Sequence, residues 1–266
     1  MIGDYPVTRA FRQHASRFDF VDVKTPASAF KRVVRDLEFD VAELAIVTYL
    51  LAKAHAKPLR LLPAVILARF QHPYLVYNAE RGILAPEDLN GKRVGQRSYS
   101  VTTATWVRGV LADDYGVDLG SVRWVTFEEP HVAEFRDPPN VERAPAGKDI
   151  LSMLLAGEID AAILSEIPKD PRIRPVIPDP DAAAQAWQAR TGAIQINHMV
   201  AVKQTVSRAE ADEVYALLRE SRHAAGDPAI NPFGIEENRR NLEVAIDCVY
   251  RQGMIPRRYG VDELFA

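Results

Sequence analysis

Short apolar runs alternate with amphipathic segments from one end of the chain to the other, and their spacing predicts strands alternating with helices. The pattern places a helix over residues 6–15, a strand over 18–23, a helix over 26–37, a strand over 39–44 and a helix over 46–55. Two apolar runs, 59–67 and 74–77, read as buried strands on either side of the polar stretch Arg69, Phe70, Gln71 and His72. Residues 92–95 read as a strand after the turn at Leu89, Asn90 and Gly91, and 101–111 as a helix with apolar positions at helical spacing. Next come a strand at 122–127, a charged, proline-rich stretch at 128–148, a helix at 149–156 and, past Gly157, a strand at 160–164. A second proline-rich segment, 167–180, reads as surface loop, a strand follows at 193–202, and from Ser207 onward the pattern is almost all helical. Alternation of this kind predicts an α/β protein with mainly parallel sheets, whose ligands bind outside the carboxyl ends of the strands.

The loops that follow strands therefore carry the chemistry. Ser98, Tyr99, Ser100, Thr102 and Thr103 lie between the strand 92–95 and the helix 101–111, where unpaired backbone N–H groups and the helix dipole favour a carboxylate or phosphate. The plain structural alternative is that Ser100 or a neighbour only caps the helix. Asp4 and Tyr5, Glu43, the 69–72 stretch, Ser165 and Glu166, and Asn197 and His198 are the other polar groups close to strand ends.

Composition narrows the class. With 47% hydrophobic and 26% charged residues the chain reads as an ordinary globular protein of one large or two modest domains. A formal net charge of −3, with the basic residues scattered, leaves no electrostatic footprint for nucleic acid. The amino-terminal stretch lacks the apolar core of a secretory signal and no segment is long enough to span a bilayer, so the expected location is cytoplasmic. Cys248 is the only cysteine, which excludes an internal disulfide and a thiolate metal cluster; it reads as a core residue.

Five segments go further: FDVAEL at 39–44, APEDLNGKRVG at 85–95, WVRGVLADDYGV at 106–117, LLAGEIDAAI at 154–163 and RRYGVDELFA at 257–266. Together they resemble the 4,5-dihydroxyphthalate decarboxylase family, over nearly the whole chain. That family is related to the type II periplasmic solute-binding proteins, so the resemblance implies a two-lobed α/β fold with the ligand cleft between the lobes. It implies a first lobe of residues 1–92 and 197–266 and a second of 93–196, with crossings near 93–95 and 191–195 and hinge positions near Gly95 and Gly192. DLxGKRVG and AGEIDA are shared with solute-binding relatives and mark the fold; WVRG with LADDYGV, and DELFA, are more specific to the decarboxylase group. The chain starts so close to GDYPVTRA that the first strand of such relatives is missing or reduced to Met1 and Ile2. Relatives of this kind tend to be longer in the second lobe, which makes substrate shape the least transferable property.

The resemblance implies cofactor-free decarboxylation of a hydroxylated, phthalate-like aromatic acid. Such a reaction needs an anchor for the remaining acid groups, a proton donor for the ring carbon and a poorly solvated place for the leaving carboxylate. His198, in an apolar strand at the expected lobe junction, is the candidate proton donor, against a plain core role. Glu43 is the candidate base or partner of a phenolic hydroxyl, against a helix-capping role. Arg69 and His72 are candidate anchors. Arg108 is the rival anchor, against a surface or interlobe ion pair. Ser98, Tyr99, Thr102 and Thr103 would complete a polar lining, and Tyr5 would wall the ring. HExxH and HxxxH are absent and the histidines show no ligand spacing, so no metal or other cofactor is expected. GxSxG and the P-loop pattern are absent too. The expected partner is a small aromatic carboxylate, and the charged helical carboxyl terminus could support a homodimer. Two other readings stay open: a solute-binding protein for small anions without chemistry, and a lyase like those of the menaquinone futalosine pathway.

Overall fold

In the computed structural model residues 1–14 and 17–266 are described, so the end of the helix expected at 6–15 falls outside the described residues. Along the chain run α1 (Pro26–Lys31), continued by a π-helical turn Arg32–Asp36, then β1 (Val41–Ala45), α2 (Ile46–Ala54), β2 (Leu59–Ala68), β3 (Leu75–Asn78), β4 (Arg93–Gln96) and α3 (Thr102–Tyr115). They are followed by β5 (Arg123–Thr126), β6 (Val141–Arg143), α4 (Ile150–Ala156), β7 (Ala161–Ile163), β8 (Ile173–Pro175), α5 (Pro180–Thr191), β9 (Ile196–Lys203), α6 (Arg208–Ala224) and α7 (Ile235–Arg251). Local chemistry sets the ends that matter. The Asp149 side chain accepts from the Ser152 N–H to start α4, and Gly116 and Gly157 stop α3 and α4 in the left-handed region at φ 64° and 72°.

The chain forms two compact units, Met1–Arg69 with Gly192–Ala266, and Phe70–Thr191. In the first, β9 is the central strand of a three-stranded sheet and pairs antiparallel with β1 on one side and β2 on the other. Pro63 cannot donate to a ladder, and β2 slips register between Leu62 and Val65. There it turns to residues 232–234 instead: the Val65 N–H donates to Pro232 O at 3.3 Å and the Gly234 N–H to Pro63 O at 2.8 Å. Beside β1, the Met1 amino group donates to Val41 O and the Glu43 N–H donates to Met1 O, both at 2.8 Å, so the first residue is held in strand-like pairing. One core cluster joins Val7 and Phe11 to Leu62, Ile66, Val200 and the buried face of α6 through Val214 and Leu218.

In the second unit six strands lie in the order β6-β5-β4-β7-β3-β8. The first four are mutually parallel, whereas β3 runs antiparallel to both β7 and β8. Val76, Val125, Ala162, Met153 and Leu154 share its core.

Several expectations change at this level. No strand forms at 18–23. The period-two pattern of Phe18 and Phe20 is met by packing both rings 5.5 Å from the Phe11 ring, without joining a sheet ladder. The proline-rich stretches contain two short strands, β6 and β8, and α5 follows where no helix was expected. Only Ala184 and Trp187 of α5 are buried, too narrow a stripe to announce a helix. Parallel pairing holds only within the second unit. Residues 70–92, expected in the first lobe, belong to the second unit because β3 is built into its sheet between β7 and β8.

Gly95, expected near a hinge, sits inside β4, where an added Cβ would lie 2.6 Å from Ile159 Cδ1 and 3.1 Å from Ile150 Cγ1. Gly95→Ala should therefore lower stability by about 1–3 kcal/mol in urea unfolding through overpacking. An unchanged midpoint with altered ligand affinity would mark it as a hinge instead.

Candidate active site

Glu43 is the centre of the polar network in the first unit. It lies in β1 within the buried run Ala42 to Ala45 and is itself 0% exposed. A carboxylate in that position must be surrounded by donors, because an uncompensated buried charge costs several kcal/mol. Three groups converge on it. The Gly3 N–H donates to Oε2 at 2.9 Å, the Tyr5 hydroxyl donates to Oε1 at 2.6 Å, and His198 Nδ1 lies 2.5 Å from Oε1. The β1–β9 register explains the last contact: Glu43 faces Val200 and Ala45 faces His198, so the two side chains are diagonal neighbours on one face of the sheet. With an amide and a phenol already donating to it, the carboxylate acts as acceptor and His198 presents Nδ1–H to it. The other ring nitrogen, Nε2, is thereby directed away from Glu43. Phe30 stands edge-on to the imidazole at 5.2 Å and restricts its rotation.

Gly3 is required by proximity, since a Cβ there would fall 2.7 Å from Tyr5 Cε2 and 3.0 Å from Glu43 Oε2. Burial pushes the Tyr5 phenol far above its ordinary pKa, the Glu43 charge and hydrogen bond push it further, and Arg69 opposes them. Tyr5 is thus a protonated donor at any working pH, and Arg69 is near enough to act on it. The Arg69 N–H donates to Gln195 O at 3.2 Å.

The second unit holds the other expected residues. Ser98, Tyr99 and Thr102 are buried and Thr103 is half-buried, between the end of β4 and the first turn of α3. The N-cap of α3 is Val101, next to Ser100, and it makes no side-chain hydrogen bond to the helix. Arg108 is 0% exposed, which rules out a surface ion pair. Its guanidinium donates to Gln96 Oε1 at 2.7 Å, to Tyr99 O at 2.8 Å and to Thr105 Oγ1 at 3.3 Å, and lies 3.8 Å from the Tyr99 ring centre. These bonds hold the 96–99 loop in shape and leave Arg108 a poor candidate for gripping a ligand. His72, in a short 3-10 turn before β3, is 1% exposed and its ring lies 6.3 Å from Phe70 and 6.4 Å from Trp187. Burial lowers its pKa to about 4.

Sequence reasoning brought Tyr5, Glu43 and His198 forward separately, and the first unit brings them together. Both oxygens of Glu43 carry protein donors, Gly3 on Oε2 and Tyr5 and His198 on Oε1. Gly3, Phe30, Gln96 and Trp187 were missed. The only signal for Gly3 was its place two residues before Tyr5, and Trp187 lies in the unexpected α5. Among the described residues no cluster of three or more His, Cys, Asp and Glu side chains could hold a metal ion, and no helix is long and apolar enough to cross a membrane.

Comparison with solved structures places this architecture. The alkanesulfonate-binding protein SsuA of Xanthomonas axonopodis pv. citri, solved with MOPS, matches with a TM-score of 0.57 at 15% identity, over 97% of this chain and 92% of that one. The periplasmic aliphatic sulphonate-binding protein SsuA of Escherichia coli matches with a TM-score of 0.55 at 13% identity, over 98% and 92%. The fold is therefore that of the two-lobed periplasmic solute-binding proteins. No family profile matches the chain. Sequence relatives are more specific: the chain is 30% identical over 223 residues to the 4,5-dihydroxyphthalate decarboxylase of Comamonas testosteroni, covering 77% of this chain and 68% of that protein. It is also 30% identical over 203 residues to the 4,5-dihydroxyphthalate decarboxylase of Pseudomonas putida, covering 70% and 79%. The chain belongs to the 4,5-dihydroxyphthalate decarboxylase family, a family of carboxy-lyases.

The depressed His72 pKa makes stability depend on pH. The folded protein binds fewer protons there than the unfolded chain between the ordinary value of 6.5 and about 4, so stability present above pH 6.5 is lost as pH falls toward 4. The loss amounts to about 3 kcal/mol at most. Urea unfolding at pH 7 and pH 4.5 should show a smaller difference for His72→Phe than for the parent chain; equal differences would place the imidazole in a solvated site.

Proposed function

We propose that this chain removes CO₂ from a hydroxylated, phthalate-like aromatic acid without a cofactor, in the cleft expected between the lobes, and that His198 is its proton donor. The observation that carries the proposal is the 2.5 Å contact of His198 Nδ1 with a buried, fully engaged Glu43. A carboxylate behind an imidazole selects the tautomer and holds the ring, which is how a histidine is prepared to move protons through its other nitrogen. With His198 protonated by solvent to the imidazolium and its Nδ1–H held by Glu43, transfer of the Nε2 proton to the ring carbon bearing the carboxylate makes that carbon tetrahedral and leaves the imidazole in its Nδ1–H tautomer. The C–C bond then breaks, its electron pair restores the aromatic ring, and CO₂ departs. Net, one proton replaces one carboxylate, and solvent returns the proton to His198. A phenolic oxygen on the ring would feed electrons to the protonated intermediate, which is why a hydroxylated acid suits the reaction. Glu43 and Tyr5 do not meet the ring in this scheme; they position His198. Arg69, which already acts electrostatically on Tyr5, is the candidate for neutralising a substrate carboxylate.

The test is CO₂ release and product mass after incubating the chain with 4,5-dihydroxyphthalate and a panel of hydroxybenzoates. Turnover is expected, unchanged by prior chelation with EDTA. Thermal stabilisation by these acids without turnover would replace the proposal by a binding role, and activity lost to EDTA and restored by a divalent metal would remove its cofactor-free part. His198→Asn should lower kcat by about 10²–10⁴-fold with KM little changed. Glu43→Gln should lower kcat by about 10–100-fold, because a carboxamide presents an N–H as readily as an oxygen to Nδ1.

A further inference from the structure

Unpartnered buried polar groups gather in the second unit. Both ring nitrogens of His72, Gln96 Nε2 and Ser98 Oγ are shielded from solvent and without a hydrogen-bond partner. His72 and Ser98 are each 1% exposed and Gln96 is 0% exposed. Such groups cost on the order of 1–3 kcal/mol each unless something meets them, and folded proteins keep few of them. The sheet register gathers these at one end. Gln96, the last residue of β4, is level with Ile163 of β7, and Ile163 is level with Leu75 of β3. His72 precedes Leu75 by three residues and Ser98 follows Gln96 by two, so all three extend past the same edge, where the parallel strands end. Trp187 and Phe70 add aromatic walls, their ring centres 6.1 Å apart, and Trp106 lies 5.9 Å beyond Trp187.

The chemistry of the three groups selects an occupant. At neutral pH the His72 imidazole carries no charge, since burial lowers its pKa to about 4, and it therefore has one N–H donor and one bare nitrogen acceptor. Gln96 Oε1 is already taken by Arg108, which turns the amide so that its NH₂ is the free end. Ser98 both donates and accepts. A carboxylate would satisfy the donors and leave the bare nitrogen facing an anion. A hydroxyl accepts from the N–H groups and donates to the bare nitrogen or to Ser98. We infer that His72, Gln96 and Ser98 form a subsite for the ring hydroxyls of an aromatic acid, with His72 as the residue that distinguishes hydroxylated from unhydroxylated rings. This rests on the reading of the chain as a decarboxylase of hydroxylated aromatic acids. Sites that bond a hydroxyl with otherwise unmet buried groups reject analogues that lack it.

Calorimetric binding of 4,5-dihydroxyphthalate and of phthalate to the full chain tests the inference, with turnover of the dihydroxy acid followed in parallel. The parent chain should prefer the dihydroxy acid by about 100-fold or more, as expected for sites of this type. In His72→Phe, which keeps an aromatic ring of similar size, the preference should collapse to within about 3-fold while phthalate affinity stays the same. Ser98→Ala should lose about 10-fold of the preference, consistent with one hydrogen bond, and serves as the second variant should His72→Phe misfold. Turnover with a preference that survives in both folded variants would overturn the subsite and leave the decarboxylase reading intact. A parent chain that neither binds nor turns over the dihydroxy acid would overturn both.

Discussion

A carboxylate buried on a strand of a β-sheet needs several donors around it, and in the first unit meeting that need organises the structure about Glu43. Its three partners come from distant parts of the chain: Gly3 and Tyr5 from the amino-terminal turn and His198 from the central strand. Each brings constraints of its own. Thr8, fully buried, donates its hydroxyl to Gly3 O at 2.7 Å and accepts from the Tyr5 N–H at 2.9 Å, which fixes the turn that presents both residues. The Phe11 N–H donates to Ser221 Oγ at 3.0 Å and ties that turn to α6. The same requirement sets the tautomer and direction of His198.

The second unit treats polarity differently. Its buried cation, Arg108, is fully engaged by Gln96, Tyr99 and Thr105, as a charge at that depth must be. Its neutral polar groups are left less complete: the ring nitrogens of His72, Ser98 Oγ and the amide nitrogen of Gln96 lack partners. The magnitudes permit this. An unmet neutral group costs on the order of 1–3 kcal/mol, and an unmet charge several times more. A protein can carry a few of the first kind, and holding His72 uncharged is what lets it be one of them. Arg108 contributes by orientation, since its bond to Gln96 Oε1 decides which end of that amide faces outward.

Two solved structures with this fold, 13% and 15% identical to the chain, bind sulfonates by name, whereas the sequence relatives at 30% identity are named decarboxylases. A scaffold shared so widely does not specify chemistry. What separates a binding protein from an enzyme on such a scaffold is a small number of side chains.

Alternation of apolar runs and helical stripes was enough to locate most elements, because a strand such as β2 or a helix such as α3 is written in the spacing of its own residues. The motifs DLxGKRVG and AGEIDA were enough to place the fold, and WVRG with LADDYGV, and DELFA, to point to the family. Local pattern failed where formation depends on a distant partner. Phe18 and Phe20 alternate like a strand yet join no ladder and pack on Phe11 instead, while β6 and β8 form within proline-rich segments because the edges of β5 and β3 accept them. The site divides in the same way. Tyr5, Glu43 and His198 are each conspicuous as polar residues near strand ends, and the sequence alone names them. That a register brings Glu43 diagonal to His198, that Gly3 closes the ring of donors and that Arg108 turns inward to Gln96 are decided only by tertiary structure, because each depends on hydrogen-bonding partners that distance along the chain does not reveal.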